Sequence, residues 1–148
     1  MAKTLKRSTK RKSKLPSIKS LEAKVWIFCR QMCRKKYPNT CFTCGKINLQ
    51  GKDWATGHFI KKGKLPFALK YSELVLRPQC QGCNRGRNGN EAVYALNLLV
   101  TESPEYLYNI RQTMFTELEN EAKWGAKEKR LFLINLINEY DRRMENYK

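Results

Sequence analysis

The chain has 148 residues, six cysteines, one histidine and a formal net charge of +17. That length suits one domain with a modest core. The charged opening Met-Ala-Lys-Thr-Leu-Lys-Arg argues against a secretory leader, and no run approaches the ~18 uninterrupted apolar residues of a membrane span. The expectation is therefore a soluble protein of a reducing cytoplasm, where paired C-x-x-C motifs mean metal rather than disulfide.

Residues 1–19 carry Lys3, Lys6, Arg7, Lys10, Arg11, Lys12, Lys14 and Lys19 with no acid, among Ser, Thr and Pro16. Such a segment cannot bury enough apolar surface to order itself, and it reads as a disordered basic arm. Residues 20–148 read as a single domain. Its first element is a helix from Ser20, the expected cap, to about Tyr37, with Glu22 in the first turn and Pro38 after it. Val25, Cys29, Cys33 and Tyr37 recur every four residues along it. Cys29 and Cys33 have the wrong spacing for a metal pair with the other cysteines, and read as small core residues.

A first knuckle, Cys41-Phe-Thr-Cys44-Gly45, follows at once. Two apolar segments come next, Ala55 to Ile60 and Leu74 to Leu76, separated by a Lys/Gly/Pro loop; they read as a hairpin-like pair of strands with His58 on the first. The second knuckle is Cys80-Gln-Gly-Cys83. Two such knuckles supply the four thiolates of a tetrahedral structural Zn²⁺ site. A helix is expected to open at Asn90, with Val93, Leu96 and Val100 on one face. Ser103-Pro104-Glu105 signals another helix start, running to about Glu121. Trp124-Gly125 breaks that pattern, and a last helix from Ala126 to about Tyr147 carries Leu133, Ile137, Tyr140 and Met144 as a stripe. The stripe suits either an intramolecular seam or a homodimer contact.

The charge is placed unevenly. Residues 1–20 sum to +8, residues 21–90 to +11 and residues 91–148 to −2. A positive field concentrated on the arm and the cysteine region points to nucleic acid as the partner. Between the knuckles, His58 sits on a strand that precedes a helix start, where Asn side chains and backbone amides can hold a divalent cation and a phosphate together. Arg85 and Arg87 flank that spot, and Lys61, Lys62 and Lys64 lie on the loop leaving the histidine. A DNA phosphodiester would enter there.

Cys41-x-x-Cys44-Gly45, Gly57-His58-Phe59, Pro78-Gln79-Cys80-x-x-Cys83-Asn84, Gly89-Asn90 and Tyr94 together resemble the zinc-stapled HNH (ββα-metal) endonucleases. More narrowly they resemble the NinG/Rap recombination endonucleases of phages. The motifs span residues 41 to 94, and a weaker likeness in helical layout extends from about 21 to 145. The resemblance implies an α+β fold: a small ββα-metal core over 41–100, the helix at 20–37 before it, and a helical scaffold over 103–147. It also implies a metal-dependent endonuclease of the host cytoplasm that cuts branched DNA, four-way junctions included, with Mg²⁺ or Mn²⁺ as the catalytic ion. On that pattern His58 is the general base and Asn84 occupies the closing ligand position. Asn90 matches the family's Gly-Asn and has two readings, a ligand for metal or phosphate and a helix cap.

The chain departs from the wider HNH pattern at two positions. Many such enzymes carry Asp immediately before the histidine, where Gly57 stands here. The middle Asn, which braces the loop that aims the histidine, is Val75. Asp53, five residues before His58, is the nearest acid and the remaining carboxylate candidate for the catalytic ion. A site this poor in carboxylates would bind its ion weakly, with the substrate phosphate completing the coordination. The competing reading is a non-catalytic zinc-ribbon module that binds nucleic acid.

Overall fold

The computed structural model describes residues 15–145; the arm read over residues 1–19 lies outside the described residues up to position 14. It is an α+β chain, mostly helical. The elements are α1 (Ile18–Lys36), β1 (Ala55–His58), β2 (Leu76–Gln79), α2 (Glu91–Thr101), α3 (Pro104–Glu121) and α4 (Ala126–Glu145), joined by short 3-10 turns and one π-helical turn at Gly82–Gly86. None of these helices is long and apolar enough to cross a membrane.

The cap of the first helix lies three residues before the expected one. Ser17, not Ser20, caps α1: its hydroxyl accepts the amide of Ser20 at 3.1 Å. Both serines can cap; the earlier one brings Ile18 into the helix, where it packs against the core beside buried Leu21. Glu22 consequently lies beyond the first turn and takes another job, accepting the Tyr71 hydroxyl at 2.6 Å.

The strands pair antiparallel with Ala55 opposite Gln79, Thr56 opposite Pro78, Gly57 opposite Arg77 and His58 opposite Leu76. The second strand is displaced from the expected Leu74–Leu76 segment. Glu73–Val75 forms a 3-10 turn in which Ser72 Oγ accepts the Leu74 amide, and pairing begins only at Leu76. An apolar scan misses Leu76–Gln79 because its interior is Arg-Pro. Pro78 nevertheless fits, since its carbonyl accepts the Phe42 amide at 2.8 Å and ties the first knuckle to the hairpin.

The main core lies between α1 and α4. Val25 and Cys29 of α1 and Leu133, Ile137 and Tyr140 of α4 are buried there, with Leu69, Tyr71, Val75, Tyr94, Leu98 and Ile110 closing the cluster. Each large apolar side chain removed from water in this way contributes about 1.5–3 kcal/mol before chain entropy is subtracted. The C-terminal stripe is thus spent within the chain. Cys29 and Cys33 are core residues, their thiols pushed up to about 11 by burial.

The inward face of α2 differs from the expected one. Tyr94 and Leu98 point inward, while Leu96 and Val100 are exposed. Two contacts set that rotation: Tyr94 packs against the rings of Phe42 and Phe59, and Asn97 Nδ2 donates to the Phe42 carbonyl at 2.6 Å. Ser103 and Pro104 start α3, and Trp124-Gly125 separates it from α4, as the sequence indicates.

Candidate metal centre and nucleic-acid interface

The two knuckles converge. In the first, Gly45 follows Cys44 with φ +74°, a left-handed turn that glycine adopts without steric cost, and its amide bonds back to the Cys41 carbonyl. In the second, the Asn84 amide reaches the Cys80 carbonyl and the Cys83 amide points at Cys80 Sγ, 3.4 Å away. The sulfurs of Cys41, Cys44, Cys80 and Cys83 all lie within 4.8 Å of one another, and the Cys44 and Cys80 sulfurs are 3.7 Å apart. A tetrahedron of thiolates with Zn–S bonds of about 2.3 Å has edges of about 3.8 Å. The donor set therefore fits Zn²⁺.

Burial pushes the Cys41 thiol up. Amide hydrogen bonds from the knuckle backbones and the Thr43 hydroxyl outweigh that push and bring it down to about 6. Cys80 moves the other way, pushed up to about 12 by burial and by its neighbouring thiols. Four thiolates so close together need a cation to coexist. Leu49 and Trp54 pack over the cluster.

Asp53 and Asn90 both serve this centre. The Asp53 carboxylate accepts the Gln81 amide at 2.8 Å through Oδ1 and pairs with Lys46 at 2.6 Å through Oδ2, linking the two knuckles. The Lys46 ammonium and the Gln81 amide hold that carboxyl below its usual range. Asn90 sits in the left-handed region with φ +53° just before α2, and its side chain makes no capping bond. Its Nδ2 instead lies 4.0 Å from Cys83 Sγ, as a donor toward a metal-bound sulfur would.

His58 ends β1, half-buried. Its Nε2 is 2.9 Å from the Lys70 carbonyl oxygen. A carbonyl only accepts, so Nε2 carries the proton and Nδ1 keeps the lone pair. The ring stacks on Trp26 of α1 with centroids 5.2 Å apart and planes 6° from parallel, and Lys62 Nζ lies 5.0 Å from the centre of the same indole. Burial lowers the affinity of His58 for a second proton; the Lys70 carbonyl opposes this, and the charges of Lys62 and Lys70 reinforce it.

A cavity of about 420 Å³ is lined by His58, Lys61, Lys62, Asn84, Arg85, Asn88 and Gly89. The fold thus brings together His58, Asn84, Lys61, Lys62 and Arg85. Lys64 and Arg87 are exposed outside its wall, Asp53 is engaged by Lys46 and the Gln81 amide, and Asn90 lies against Cys83. Gly89, with φ +87°, passes close behind the His58 carbonyl.

Three residues missed in the sequence complete the site. Lys70 supplies the carbonyl that orients the imidazole, and backbone groups leave no signal in side-chain patterns. Glu91 Oε1 accepts the Lys61 amide at 2.9 Å and fixes the start of the basic loop; an acid in the first turn of a helix was its one visible sign. Gln79 crosses over Gly57 to donate to the Gly89 carbonyl at 2.7 Å and to Thr43 Oγ1 at 3.3 Å. A Cβ on residue 57 would overlap the Gln79 carboxamide, which accounts for glycine before the histidine.

A two-stranded hairpin and a following helix, gathered by four cysteines fit for zinc and edged by a basic cavity, define an α+β protein with a candidate metal centre. Residues 2–141 match the family described as the bacteriophage lambda NinG protein, and the chain belongs to that family. Neither the curated proteins nor the solved structures contain a match to it.

Proposed function

We propose that the chain is an HNH-type, metal-dependent DNA endonuclease that hydrolyses phosphodiester bonds in branched DNA during phage recombination, inside the host cytoplasm. One observation carries this reading: an imidazole with one nitrogen tied to a carbonyl shares a cavity with Asn84 and with three cations that have no carboxylate partner among the described residues. His58 Nδ1 takes the proton from a water attacking the phosphorus in line. Lys61, Lys62 and Arg85 hold the phosphate and offset its charge. A bound Mg²⁺ or Mn²⁺ would stabilise charge at the leaving oxygen. Asn84 would be its side-chain ligand, with the carboxamide of Asn88 on the same wall; among the lining residues there is no carboxylate, so the substrate phosphate would supply much of the coordination.

The test is cleavage of labelled linear, flapped and four-way DNA by the wild type and His58→Ala, with and without Mg²⁺ or Mn²⁺. The expected result is divalent-dependent cutting of branched DNA that falls at least ~100-fold in the variant while binding survives. A wild type that binds but cuts none of these substrates would establish instead a non-catalytic zinc module that binds nucleic acid.

A further inference from the structure

A second cavity, of about 250 Å³, adjoins the first. Asn84 and Arg85 line both, so the two concavities meet along that pair. The far wall comes from one face of α1, where Trp26, Arg30 and Arg34 recur every four residues, and from Lys52 and Trp54 ahead of β1. Arg34 builds the wall: its guanidinium donates to the carbonyls of Gly51 at 3.2 Å and Trp54 at 2.8 Å and lies over the Trp54 ring.

Arg30, Lys52 and Arg85 are different. All three are exposed, and among the described residues none has a carboxylate partner. No acid lines this cavity, since the nearby Asp53 is already engaged by Lys46 and the Gln81 amide. The indole N–H of Trp54 is buried without an acceptor. A merely solvated face would scatter its cations over a convex surface. Here they converge on one concavity walled by two indoles, the combination of backbone-tracking charge and aromatic surface that suits an unpaired strand.

We propose that this cavity binds single-stranded DNA, and that one unpaired strand runs from the His58 cavity across Asn84 and Arg85 into the groove on α1. The proposal deepens the nuclease reading and rests on it for the path of the strand, but binding is measurable without any cleavage. It gives the site a reason to prefer branched DNA, because a branch point exposes the unpaired nucleotides whose bases can meet an aromatic wall.

The experiment is fluorescence anisotropy of labelled oligothymidine and of a duplex of equal length, titrated at several salt concentrations with no added divalent ion. The proteins are the wild type, Arg30→Glu/Lys52→Glu and a control with the same change of charge on the helical scaffold, Lys123→Glu/Lys127→Glu. Losing two single-strand phosphate contacts should reduce the log–log salt slope by about 1.4 and the affinity at least ~10-fold, with a much smaller loss on duplex. The control should stay within about twofold of the wild type. Equal losses for the groove and control variants, or equal losses on single strand and duplex, would overturn the proposal. Failure of the nuclease reading would appear separately, as a wild type that binds but does not cut.

Discussion

The imidazole of His58 is fixed on one face by Trp26 and on one edge by the Lys70 carbonyl. It is also the chain's one histidine, so a single ring signal in an NMR titration reports it without assignment. Burial, helped by Lys62 and Lys70 against the Lys70 carbonyl, places its midpoint below the ordinary 6.5. The unfolded chain then binds more protons than the folded one between that midpoint and pH 6.5. Stability from the neutral ring is complete above pH 6.5 and is lost as the pH falls through the folded midpoint. Cleavage should show an acid limb with the same low midpoint. A ring titrating at or above 6.5 would show the imidazole to be open to solvent and the clamp ineffective. The sequence singles this residue out by its place between the knuckles. What orients it is not legible there, because a main-chain oxygen twelve residues away has no side-chain signature.

At the scale of elements, the cysteine unit is the part whose stability should depend on a ligand. Its four sulfurs gather a short hairpin, two tight turns and the approach to α2, with only Leu49 and Trp54 as apolar cover. Removing Zn²⁺ with a chelator, or making Cys41→Ser, should lower Tm by at least ~10 °C, because several kcal/mol of metal binding is folding free energy here. Calorimetry with zinc analysis checks it; an unchanged Tm and an unchanged zinc content in the serine variant would remove Cys41 from the ligand set. These cysteines were readable because ligand chemistry fixes spacing. The start of α3, with cap, proline and acid in order, was equally plain. The face of α2 was not: its apolar residues surround the helix, and only the partner rings of Phe42 and Phe59 decide which of them turn inward. The second strand stayed hidden because Arg77 and Pro78 interrupt its apolar pattern.

At the scale of the whole molecule, the helical scaffold reaches the candidate site through α1, which carries Trp26 and packs on α4, and through the segment before β2. Residues 66–75 are held by Glu121 at the end of α3, whose carboxylate accepts the amides of Phe67 and Ala68, and by Tyr140 of α4, which donates to the Tyr71 carbonyl at 3.2 Å. That segment carries the Lys70 carbonyl. Glu121→Ala should therefore slow cleavage by about tenfold and shift the His58 ring signal while zinc content stays the same, since a small displacement of an orienting group is costly. An unmoved ring signal would show that α3 does not govern the site. The overall charge balance was readable from the sequence, but its distribution was only partly so. Arg77, counted with the positive region, is buried and paired with Glu102 and Tyr106, and so contributes little to the outward field. Gln79 joins the first knuckle, the hairpin and the turn before α2, and it does so by occupying the space above Gly57. Positions 57 and 79 therefore form an interlock: any side chain gained at one must be surrendered at the other. An aspartate at position 57, which many HNH enzymes place before their histidine, would overlap the Gln79 carboxamide, so it could enter here only together with a smaller residue at position 79.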